Sequence, residues 1–212
     1  MPSKSRARHV LLTGFEPFSN DTVNPSGEVA KQLDGASLAG YSVRSLVLPV
    51  QHEAARERVA PALDEPGLAA VIHLGLAGGR ARVSLERVAL NVMDYPIPDA
   101  AGQVFVDAPC LPGGPAAYLS TLPVRTILKA LTGEGIPAHI SNTAGAYLCN
   151  YTFYTTLDAL AGRGRAIPAG FIHLPLLPSM VVAHACEEPS MDLPLMVRAI
   201  DVALRCTIAD AR

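Results

Sequence analysis

The sequence contains no tryptophan and only five Phe and six Tyr in 212 residues, so its core has to be filled by aliphatic side chains. It also lacks any long apolar run. Behind Lys4, Arg6 and Arg8 the apolar stretch is only Val10-Leu11-Leu12, far short of a signal h-region or of the about 20 residues of a membrane span. A cytoplasmic location is therefore expected, with no membrane partner. An excess of either charge is missing too: 17 Lys+Arg stand against 19 Asp+Glu, a net charge of −2, which leaves no basic footprint for nucleic acid. With half the residues hydrophobic, disorder is excluded as well. The four cysteines, Cys110, Cys149, Cys186 and Cys206, form no C-x-x-C and no cluster with histidine. That spacing argues against a zinc site and a disulfide framework, so no metal or cofactor is expected. What the chain does have in quantity is proline, 18 residues, which calls for many turns. Its length suits one domain, 1–212, able to bury a core without a staple.

Short β-branched and Leu-rich runs alternate with segments of helical period, the pattern of an α/β/α sandwich around a mostly parallel, twisted sheet. Strands are expected near 9–13, 42–48, 69–74, 138–141 and 169–174, with an edge or antiparallel strand near 88–92. Helices are expected at roughly 25–34, 51–64, 123–132, 145–161 and 190–209. Asn24 followed by Pro25 reads as an N-cap with proline in the first turn. The stretch 94–115 holds five prolines and few periodic apolar positions. It reads as a long, mobile excursion that could close over a site.

In parallel α/β sheets, sites gather outside the carboxyl ends of strands, and four such places carry chemistry here. Gly14-Phe15-Glu16-Pro17-Phe18 puts two of the five Phe in one turn, either loop aromatics folded onto the core or an apolar wall for a small flat group. Gly75-Leu76-Ala77-Gly78-Gly79-Arg80 is glycine-rich but is neither G-x-G-x-x-G nor a P-loop. A backbone able to approach a ligand closely is what it offers, with Arg80 as a ligand partner or a solvated side chain. Cys149 lies where a strand ends, a small-residue turn follows and a helix opens, and is either a thiol whose thiolate the helix N-terminus favours or a buried packing residue. His173 and His73 each end a strand, and either could pair with a thiol or serve packing alone. Glu86, directly before an apolar run, is an acid able to orient an imidazole or a solvated turn carboxylate beside Arg87.

The segments LLTGFEPF, TVNPS, GLAGGR, LERVALN, GGPAAY, SNTAGAYLCN with FY two residues on, and GFIHLP follow one another over roughly residues 9 to 180. In order and spacing this set resembles the pyroglutamyl peptidase I, or pyrrolidone-carboxylate peptidase, family of cysteine peptidases. The resemblance implies a metal-free cytosolic enzyme that removes N-terminal pyroglutamate from peptides, on an α/β/α fold assembled as homodimers or homotetramers. On matching positions it implies Cys149 as nucleophile, His173 as general base and then acid, and Glu86 as the orienting acid of a triad acting through an acyl-enzyme. Phe15 and Phe18 correspond to the ring-binding pair, with Leu76, Tyr147 and Leu148 completing the slot. Three positions depart from the family pattern: Leu76 stands for a common Gln, Pro96 for a common Arg, and Ala100 for a usual Asn. Those departures leave a second reading, a catalytically weak homologue that binds pyroglutamyl peptides. The glycine-rich turn with Arg80 leaves a third, a nucleoside phosphorylase or hydrolase on a related fold.

Overall fold

The computed structural model describes residues 8–210. Its centre is a seven-stranded sheet of β1 (Arg8–Phe15), β2 (Ser37–Leu38), β3 (Tyr41–Leu48), β4 (Leu68–Leu76), β5 (Val83–Glu86), β8 (Ala138–Ser141) and β9 (Ala169–Leu174). The order across it is β2-β3-β1-β4-β9-β5-β8. Strands β3, β1, β4 and β9 are parallel, as the apolar runs predict for strands covered on both faces. Two further strands, β6 (Val88–Leu90) and β7 (Ala117–Leu119), make a separate antiparallel pair.

The period of two in each strand sorts side chains between two cores. Val10 and Leu12 of β1, Ile72 and Leu74 of β4, and Ile172 and Leu174 of β9 face one side. There they meet α1 (Pro25–Leu33), α3 (Val124–Gly133), α5 (Pro178–His184) and α6 (Leu193–Asp210). Leu11, Val71 and Phe171 face the other, against α2 (His52–Val59) and α4 (Leu148–Gly162). The result is the expected α/β/α sandwich. Within it, the parity that buries Val71 and Phe171 also turns His73 and His173 toward α4.

Several boundaries differ from the sequence expectation, each for a local reason. Pro61 ends α2, and only a 3₁₀ turn at Ala62–Asp64 continues toward residue 64. Helix α4 starts at Leu148, not 145, because Gly145 has φ of 79° and belongs to the turn before it. Strand β5 and helix α5 were not expected. The 88–92 strand is β6, antiparallel and outside the main sheet; Glu86 precedes it as expected and is also the last residue of β5. Strand β5 runs antiparallel to β9, which places its acid beside the sheet's interior rows and not beyond a carboxyl edge.

The excursion is no loose flap. Met93 and Ala108 exchange backbone hydrogen bonds, and Tyr95 N–H donates to Phe105. Buried Asp99 accepts from the backbone of His52, Ala101 and Gln103. These bonds pin 94–115 against the α2 side of the molecule.

Candidate active site

Along α4, Cys149 occupies the second position of the first turn, and no side chain caps the helix at Tyr147. Its orientation is set by the next residue. Asn150 is fully buried, and its amide acts like a strand segment. Oδ1 accepts from Leu90 N–H at 2.9 Å, while Nδ2 donates to the Leu90 and Val92 carbonyls at 2.8 and 3.0 Å. With α4 so held, the Cys149 sulfur lies against the backbone of β4 at Gly75. A Cβ there would stand 2.9 Å from Sγ and 2.8 Å from the Phe171 ring. Gly75 is thus required for room, at a position the sequence suggested only as a close backbone approach.

Gly75 is the register partner of His173 on the adjoining strand, about 4.8 Å away by sheet geometry. His173 Nδ1 is 2.8 Å from Glu86 Oε1. An ionised carboxylate only accepts, so Nδ1 carries the proton and Nε2 of the neutral ring is left with its lone pair. Burial works against charge on Glu86, but the bond and charge of His173, with Ser141 and Arg80 adding, hold its pKa below the ordinary value. Burial lowers the pKa of His173, Glu86 opposes that shift and Arg80 adds to it. The thiol of Cys149 is pushed up to about 12, by burial first and by the Glu86 charge second. Burial thus opposes the helix dipole at the thiol, and it opposes Glu86 at the imidazole.

His73 lies two residues before Gly75 and is built differently. Its Nδ1 and Nε2 are 2.7 and 3.0 Å from the hydroxyls of Thr13 and Thr156, and the side chain has no exposed surface. Both nitrogens are used, which leaves none for a reacting group. Arg80, left open between ligand partner and solvated side chain, donates to Glu86 Oε1 at 2.6 Å and to the Thr143 carbonyl at 3.3 Å.

Beside Cys149 opens an apolar cavity of about 260 Å³. Phe15, Phe18, Leu76, Tyr147 and Leu148 all line it, joined by Val23, Val50 and Ile97, which the sequence did not single out. The Phe turn is placed by α1: Ser26 Oγ accepts from Phe15 N–H at 3.0 Å, and the capping Asn24 donates to the Glu16 carbonyl at 3.0 Å. Tyr147 reaches across to the excursion, its hydroxyl donating to the Pro98 carbonyl and its ring meeting Tyr95 edge-on. Asp21 is the one carboxylate among the lining residues, and it bonds His184 at 2.6 Å. Pro96, next to Ile97, is exposed. Among the described residues no group of His, Cys, Asp and Glu could hold a metal ion.

A sequence model of the pyroglutamyl peptidase family matches residues 8–210. The chain belongs to the pyroglutamyl peptidase family. It is 42% identical over 204 residues to the pyrrolidone-carboxylate peptidase of Pyrococcus furiosus, covering 95% of this chain and 98% of that one. With the pyrrolidone-carboxylate peptidase of Klebsiella pneumoniae the identity is 47% over 195 residues, 92% of this chain and 90% of that one. A solved point mutant of the Pyrococcus furiosus pyrrolidone carboxyl peptidase superposes with a TM-score of 0.93 at 40% identity, over 96% of this chain and all of that chain. Membership makes the protein a hydrolase of the cysteine peptidase class acting on peptides, and sets aside the nucleoside phosphorylase reading. No helix among the described residues is long and apolar enough to cross a membrane.

Proposed function

We propose that this pyroglutamyl peptidase family member cleaves the amide bond after an N-terminal pyroglutamate through a Cys149-His173-Glu86 triad and an acyl-enzyme. The observation that carries the reading is the bond from His173 to the buried Glu86, on the same face of the sheet and one strand from the Gly75 backbone against which Cys149 Sγ rests. The proton of Sγ passes to His173 Nε2, and the sulfur attacks the pyroglutamyl carbonyl. Glu86 stabilises the imidazolium formed in that step. The α4 N-terminus has no side-chain cap, so its backbone N–H groups can serve as donors to the developing oxyanion. His173 then protonates the departing amine, and water, deprotonated by the same nitrogen, releases pyroglutamate from the thioester.

The lactam ring is neutral and flat, with one N–H and one carbonyl, and suits a slot walled by Phe15, Phe18, Leu76, Tyr147 and Leu148. The Asp21 carboxylate at this slot is engaged by His184, so a free ammonium gains little there. Turnover of a chromogenic pyroglutamyl amide, compared with the prolyl amide and repeated after iodoacetamide and after EDTA, tests the reading. The expected result is hydrolysis of the first substrate only, lost on alkylation and unaffected by EDTA. Comparable prolyl turnover would refute the pocket assignment, and activity surviving alkylation of Cys149 would refute the nucleophile. The same reading makes the protein a cytoplasmic homodimer or homotetramer, measurable by fractionation and analytical ultracentrifugation.

A further inference from the structure

We infer that Arg80 is a positioning residue that ties the two halves of the triad together: Glu86 with His173 on one side, and the turn presenting Cys149 on the other. This rests on the triad reading above. The guanidinium spans two elements at once. Nη1 donates to Glu86 Oε1, at the end of β5, at 2.6 Å. Nη2 donates at 3.3 Å to the carbonyl of Thr143, in the turn between β8 and α4 that leads to the nucleophile. A planar fork with separated N–H groups can make both bonds, whereas a lysine ammonium acts as a single point of charge.

Arg80 is itself held in place from a fourth element. The carboxylate of Glu188 accepts from Gly79 N–H at 3.0 Å, and a Cβ on Gly78 would sit 3.0 Å from that same oxygen. The glycines of this turn, which in other folds would cradle a phosphate, here let a carboxylate grip the backbone and aim the arginine at the acid. Contacts then run without a gap from Glu188 to Gly79, Arg80, Glu86 and His173.

Sharing one carboxylate oxygen between Arg80 and His173 has an electrostatic effect in addition to the geometric one. The cation helps keep Glu86 ionised, and it disfavours a charged His173 at rest, so the ring stays available as a base. The other titratable groups nearby are Cys149 on α4, whose thiol Arg80 makes more acidic, and His139 on β8, which feels Arg82, Arg80 and Glu86.

The test is the pH profile of kcat/KM for a pyroglutamyl amide in Arg80→Ala and Arg80→Lys, with and without dilute guanidinium. Arg80→Ala should lose about 10²-fold in kcat, the scale for a catalytic group misplaced by about 1 Å, with KM nearly unchanged. Its acid limb should move to higher pH, because His173 becomes easier to protonate. Guanidinium should restore part of kcat, and ammonium should not. Arg80→Lys should keep the limb near its wild-type pH yet remain slow. An Arg80→Ala enzyme with wild-type kcat and limb, or one that is slow with an unmoved limb and no guanidinium rescue, overturns the inference. Turnover surviving Cys149→Ala would instead overturn the triad reading beneath it.

Discussion

His73 and His173 sit on adjacent parallel strands, on the same face of the sheet and under the same helix, and both are buried. Their chemistry differs because their partners differ. Two threonine hydroxyls hold His73, satisfy both nitrogens and supply no charge, so burial drives its pKa down to about 3. One carboxylate holds His173, orienting the ring through a single nitrogen and offsetting part of the burial. A strand-end imidazole is thus a packing element or a base according to whether its second nitrogen is already taken.

The sharpest way to break this comparison is to remove each ring in turn. His173→Ala should lower kcat for a pyroglutamyl amide by roughly 10²–10⁴-fold, the range for a general base, with a modest change in the urea midpoint. His73→Ala should do the reverse, costing about 1–3 kcal/mol of stability from stranded hydroxyls and lost packing while a folded fraction still turns over. The opposite ranking would exchange the two roles.

Next in size is Gly75→Ala, which adds a methyl between the two histidine sites. It should cost about 1–3 kcal/mol through overpacking against Phe171, and displace Sγ so that kcat falls with it. A stable Ala variant of normal activity would mean that the sulfur does not need the space. A pH titration of stability sharpens the contrast further. A histidine whose folded pKa is depressed stays neutral in the native state while the unfolded chain takes up a proton below about 6.5, so stability falls as pH drops through that value. For His73 the loss should continue toward pH of about 3 at up to about 1.4 kcal/mol per pH unit. Urea unfolding between these limits should give a flatter profile in His73→Gln than in the wild type.

The smallest effect belongs to Glu86→Gln, where an amide can still orient the ring. Turnover should drop less than in His173→Ala, and the acid limb of kcat/KM should move to lower pH because His173 has lost its counter-ion. A limb that stays put would remove Glu86 from the electrostatics of the site.

Much of this arrangement was legible in the residues. The continuous apolar runs of β1, β4 and β9 can only be strands buried on both faces, and Asn24-Pro25 fixes the start of α1 because its side-chain cap and fixed φ are local chemistry. Strand β5 escaped because Val83-Ser84-Leu85-Glu86, flanked by Arg82 and Arg87, offers only two apolar positions and gets its identity from neighbours distant in the chain. For the same reason Glu86 resembled a turn carboxylate until its partners were placed. At Cys149 a helix start is visible in sequence, whereas the burial that pushes its thiol pKa up is not. Proline density made 94–115 resemble a flap, whereas the bonds that hold it come from Asp99 and from backbone pairs that no period announces.

The Asn150 amide determines the angular setting of the nucleophile helix. One residue along an α-helix turns the side chain by about 100°, so a rotation of α4 by a fraction of that step would carry Cys149 away from Gly75. The three bonds from Asn150 to Leu90 and Val92 resist that rotation at the neighbouring position. They act as a keyway: the helix can be seated at one clock angle only, and the small β6–β7 sheet is the part into which it is keyed.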